Sequence, residues 1–115
     1  MPREISLVSD EPVTTDLIVD AAAGVDGQLV PRLLFGGWAM QLVDVDDVPV
    51  LTIELSRQVD DTYDVERLTG PLSRLGPFWW TEATAPWGPA GEPGVRIARA
   101  LGELLDARVL VWDGR

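Results

Sequence analysis

A chain of 115 residues with 46% apolar content can bury one hydrophobic core without disulfides or a metal, so residues 1–115 read as a single domain. It contains no His, Cys, Lys or Asn, and 19 acidic residues against nine Arg leave a formal charge of −10. That composition excludes nucleophile–imidazole pairs, Cys/His metal sites and lysine Schiff bases, and its charge repels phosphate backbones and anionic membrane surfaces.

Ile5 to Ser9 is short, apolar and partly alternating, the pattern of a first strand. Ser9 and Asp10 are then expected to cap a helix whose first turn holds Glu11 and Pro12. Val13, Leu17, Ile18, Ala21, Ala22 and Val25 recur at helical spacing, and Gly24 or Gly27 supplies the stop. A three-strand meander follows. Its first strand covers about Gln28 to Phe35, with Pro31 indicating an edge position or a bulge. Gly36-Gly37 predicts a tight hairpin turn. The second strand alternates Trp38, Met40 and Leu42 with Ala39, Gln41 and Val43, and Asp44 to Asp47 make the next turn. The third, about Val48 to Ser56, sets Leu51, Ile53 and Leu55 on one face against Val50, Thr52 and Glu54.

Between Arg57 and Gly76, Val65, Leu68, Leu72 and Leu75 have helical spacing broken by Gly70-Pro71, which predicts a short interrupted helix. Phe78 to Glu82 reads as a strand and Ala83 to Gly91 as a Pro/Gly loop. Pro93 opens a second helix with the apolar stripe Ile97, Ala98, Leu101, Leu104 and Leu105, leaving Arg96, Arg99 and Glu103 outward. Arg108 to Trp112 closes the chain as a strand. Strand–helix–strand thus occurs at the front and again at the back. The expected architecture is α+β: a five- to six-stranded antiparallel or mixed sheet with two main helices packed on one face.

The acidic clusters have ordinary explanations. Asp44, Asp46 and Asp47 lack the spacing of a calcium loop, because Val48 and Pro49 stand where a ligand and a glycine are needed. Asp60, Asp61, Asp64 and Glu66 surround Tyr63, and suit either a helix start or a contact for an Arg-rich partner. Gly88 to Gly94 precedes a helix as a phosphate loop does, but has no following Lys, and its two prolines remove amide donors. No pair of carboxylates is singled out for glycoside chemistry. No metal and no cofactor is expected.

Five tryptophans are the features that go beyond scaffolding. Trp79 and Trp80 are adjacent on a strand, so their rings point to opposite faces, and Trp87 lies in a loop. Tryptophan concentrates at interface hot spots because it offers large area at small entropic cost. The residues expected to meet a partner are Trp87, Trp79, Asp60, Asp61 and Asp64. The apolar run from Leu29 to Val43 is broken by Pro31, Arg32, Gly36, Gly37 and Gln41, so no membrane span is expected. The N-terminus has no basic region followed by an apolar block, and the chain reads as cytoplasmic. The leading expectation is a non-catalytic acidic domain that docks on a basic protein, in the manner of an inhibitor, immunity or accessory protein, without nucleic acid. A homodimeric subunit comes next, then an enzyme using carboxylates alone, then a sensor with a Trp-lined pocket.

Overall fold

A computed structural model describes residues 2–59, 66 and 78–112. Its strands are β1 (Arg3–Ser9), β2 (Val30–Leu34), β3 (Ala39–Val43), β4 (Pro49–Glu54), β5 (Arg57–Val59), β6 (Phe78–Ala85) and β7 (Arg108–Trp112). The α-helices that lie wholly within the described residues are α1 (Thr15–Val25) and α2 (Glu92–Leu105). The strands form one sheet in the order β2-β3-β4-β6-β1-β7, with β5 also on β6, and every pairing is antiparallel. The α+β class is as expected, with seven strands among the described residues in place of five or six. The short helix expected between Val65 and Leu75 and the carboxylates of Asp60, Asp61 and Asp64 lie outside the described residues; Glu66 is helical and exposed.

Strand alternation builds the main core. Ile5 and Leu7 of β1, Met40 and Leu42 of β3, Leu51 and Ile53 of β4, and Ala83 and Ala85 of β6 turn to one face. There they meet Ile18, Ala21 and Ala22 of α1 and Ile97, Ala98 and Leu101 of α2. Leu104, expected in the buried stripe of α2, is exposed, because the helix turns Val95 and Gly102 inward instead. Close seating of α2 requires small residues. A Cβ on Gly94 would lie 1.9 Å from the Val50 carbonyl oxygen and 3.2 Å from the Ala85 Cβ.

Three local expectations shift. Ser9 does not cap α1: it belongs to β1, pairs with Trp79 and is fully buried, its hydroxyl donating to the Glu11 carbonyl at 2.6 Å. Thr14 is the cap, its Oγ1 accepting from the Leu17 N–H at 3.3 Å. The helix runs through Gly24 and ends where the extended Asp26 donates its N–H to Ala22. β6 continues to Ala85 instead of giving way to a loop at Ala83, because Ala83, Thr84 and Ala85 pair with Ile5, Glu4 and Arg3. Pro31 does lie on an edge strand, as its missing N–H demands.

The unforeseen strand β5 arises from a one-residue slip. β4 pairs Thr52 with Thr84 and Ile53 with Ala83, a register that sets Glu54 against Glu82 when carried on. β5 pairs Arg57 with Trp80, a register that sets Ser56 against Thr81 and Leu55 against Glu82 when carried back. Two residues therefore oppose one, which is a β-bulge. Its consequence is visible in hydrogen bonds. Ser56 turns to the helix-bearing side, where its Oγ lies 2.6 Å from Thr81 Oγ1 and accepts the Val13 N–H at 2.8 Å. Ser56→Ala leaves a buried backbone N–H without its acceptor and is expected to cost about 1–3 kcal/mol in urea unfolding. A change below about 0.5 kcal/mol, the range of ordinary surface substitutions, would show that the loop before α1 is held by other contacts.

Candidate functional site

The sheet face opposite the helices carries a polar ladder and a small apolar cluster. Arg32 donates to Gln41 at 3.2 Å, and Gln41 donates to Thr52 at 3.2 Å, a satisfied polar row across β2, β3 and β4. Val8, Phe78 and Trp80 form a small buried cluster with Val59. A second apolar group, at the β2–β3 turn and the β4–β5 junction, is exposed. Phe35 is 79% exposed, Trp38 69% and Leu55 60%.

Local backbone geometry puts these three side chains outside. Phe35, Gly36 and Gly37 all take positive φ (52°, 67° and 98°), so the chain between Leu34 and Ala39 makes a left-handed turn, closed by the Trp38 N–H donating to the Phe35 carbonyl at 3.4 Å, rather than a two-residue hairpin. The glycines accept that conformation freely, whereas for a bulky Phe it is uncommon. Trp38 follows and accepts the Leu55 N–H on its carbonyl oxygen at 2.9 Å, which extends the β3–β4 ladder by one pair. The bulge then brings Leu55 opposite Glu82.

A groove of about 330 Å³ opens here, with Phe35, Trp38, Leu55, Trp80, Glu54 and Glu82 among its lining residues. Glu82 Oε1 accepts the Trp80 indole N–H at 2.9 Å and lies 3.8 Å from the Arg57 guanidinium. The Glu54 carboxylate has no hydrogen-bond or ion-pair partner among the described residues. Trp38 and Leu55 also border a shallower cleft beside Val13, Ile18 and Leu33. The apolar end of the sheet is therefore accessible from both faces.

The residues singled out from the sequence are dispersed. Trp87 is 39% exposed, and the Arg3 guanidinium lies 6.0 Å from its ring centroid, within cation–π range. Arg3 also pairs with Glu92 at 3.0 Å and donates to the Gly88 carbonyl at 2.9 Å, fastening the loop before α2 to β1. With Glu92 in its first turn, the start of α2 presents a carboxylate where a phosphate loop would hold its anion. Trp79 is half-buried on the helix-bearing side, opposite Ser9, while Trp80 is buried on the other face. Asp44 Oδ1 accepts the N–H groups of Asp46 and Val48, both at 2.9 Å, and Asp47 pairs with Arg32 at 3.3 Å. Among the described residues no three carboxylates converge as a cation site would require.

The sequence pattern places Phe35, Trp38 and Leu55 in strands. For Phe35 and Trp38 a signal of exposure lies in Phe35-Gly36-Gly37-Trp38, where two glycines stand between aromatic residues at a turn. No helix among the described residues is long and apolar enough to cross a membrane. No protein-family model matches the chain, and neither a curated protein nor a solved structure matches it.

Proposed function

We propose that this chain is a non-catalytic protein-binding domain that docks on a basic partner protein, acting in the cytoplasm as an inhibitor, immunity-like or accessory protein. The observation that supports the reading is the contiguous exposure of Phe35, Trp38 and Leu55 beside the carboxylates of Glu54 and Glu82. Large apolar side chains grouped on a surface favour association, because covering them removes their area from water. Trp is enriched among the residues that dominate binding energy. A formal charge of −10 accelerates encounter with a basic protein and disfavours nucleic acid.

The test is an affinity pull-down from native lysate at low and at high salt, with the wild type, Trp38→Ser and Trp87→Ala. Trp38→Ser is expected to lower retention of the partner by about tenfold or more, the effect of losing an interface hot spot. Its unfolding midpoint is expected to stay near that of the wild type, since the ring is largely solvated. Loss of the partner at high salt would support electrostatic steering. Absence of any partner at either salt would overturn the reading. Retention unchanged in Trp38→Ser but lost in Trp87→Ala would move the docking surface to the Arg3–Trp87 end of the sheet.

A further inference from the structure

We infer that the groove between Trp38 and Glu82 receives an arginine side chain of the partner, flanked by an apolar residue. The inference rests on the docking function proposed above and assigns its chemistry.

Carried one step beyond Ile53–Ala83 and Thr52–Thr84, the β4–β6 register sets Glu54 opposite Glu82, both side chains line the groove, and like charges placed opposite one another in a sheet repel. Arg57 offsets only part of this, at 3.8 Å from Glu82 Oε1, and Glu54 has no cation among the described residues. An incoming guanidinium between the two carboxylates replaces repulsion with two attractive contacts, and its planar fork suits carboxylates better than an ammonium does.

The surrounding surface fits the rest of such a side chain. Phe35, Trp38 and Leu55 offer an apolar shelf for an aliphatic stem and for a neighbouring apolar residue. Trp80 stands in the lining with its indole N–H turned to Glu82, so Glu82 is already oriented before any ligand arrives. A second copy of this chain is a poorer occupant. Facing the same groove on a like-charged molecule would bring four carboxylates together around one apolar contact.

The test is a titration of the isotopically labelled full chain with acetyl-Leu-Arg-Leu-amide, followed through the indole N–H signals of Trp38 and Trp80. Controls are the same peptide with citrulline for arginine, which keeps shape and loses charge, and the Glu54→Gln/Glu82→Gln double variant. The expected result is saturable movement of both signals, weakened about tenfold or more by citrulline and by the double variant, as for loss of a charged pair at an interface. The double variant removes the carboxylate repulsion, so its thermal midpoint is expected to equal or exceed that of the wild type. Equal binding of the arginine and citrulline peptides, or full binding by the double variant, would overturn the inference and leave apolar docking standing. No movement with any peptide would also overturn it, and Trp38→Ser in the pull-down then decides the docking function separately. Dimers in sedimentation that Trp38→Ser dissolves would replace the arginine segment with a second copy.

Discussion

Gly94→Ala is expected to destabilise the protein by more than about 3 kcal/mol, beyond the usual range for overpacking. In an isolated helix the same change would help by about 1 kcal/mol, because alanine is the better helix former. Packing reverses the sign. The added methyl would lie 1.9 Å from the Val50 carbonyl oxygen, and both α2 and β4 supply rigid backbone at that contact. Relief requires α2 to retreat by more than about 1 Å, a gap that forfeits half or more of the dispersion energy along the interface. Ile97, Ala98 and Leu101, all fully buried, would lose contact together. Gly24→Ala is the matching control. Nothing lies within 4 Å of a Cβ at that position in α1, so it is expected to gain up to about 1 kcal/mol. Urea unfolding of both variants reads the contrast, and a Gly94→Ala protein as stable as the wild type would mean that α2 does not seat this deeply.

Leu101→Ala is expected to cost about 2–5 kcal/mol, the range for truncating a buried leucine. Leu101 is completely buried, in a core that draws on α1, α2 and four central strands. The neighbouring Leu104 provides the internal comparison. It sits on the same helix three residues later but is exposed, so Leu104→Ala is expected to fall within about 0.5 kcal/mol of the wild type. Comparable losses for the two variants in thermal unfolding would show that the helix is rotated about its axis from the orientation described.

The two variants also bear on the function. Both lie on the helix-bearing side, away from the groove at Trp38. A folded Leu104→Ala protein is expected to hold the partner as the wild type does, whereas Trp38→Ser is expected to lose it with its stability intact. Separating the two effects distinguishes a docking surface from general loss of structure.

Much of the architecture follows from short-range pattern. Alternation at Ile5 and Leu7, and again at Leu51 and Ile53, assigns strands and their inward faces because side chains of a strand alternate strictly. Helical spacing at Ile18, Ala21 and Ala22, and at Ile97, Ala98 and Leu101, identifies the two helices and the sides they bury. Pro31 marks an edge strand because it has no N–H to give. The composition alone also removes imidazole, thiol and amine chemistry from the chain.

The docking surface depends on relations between distant segments. Leu55 continues the apolar alternation of Leu51 and Ile53, and nothing local says that it will be solvated. Its exposure follows from the register that β6, more than twenty residues later, imposes first on β4 and then on β5. The same slip sends Ser56 inward to Thr81 and brings Glu54 and Leu55 together opposite Glu82. Strand order was equally out of reach, since β1 enters between β6 and β7 from the other end of the chain. Periodicity records which face of an element is apolar. Pairing between strands decides which of those apolar residues are covered, because a one-residue shift exchanges the faces of everything that follows.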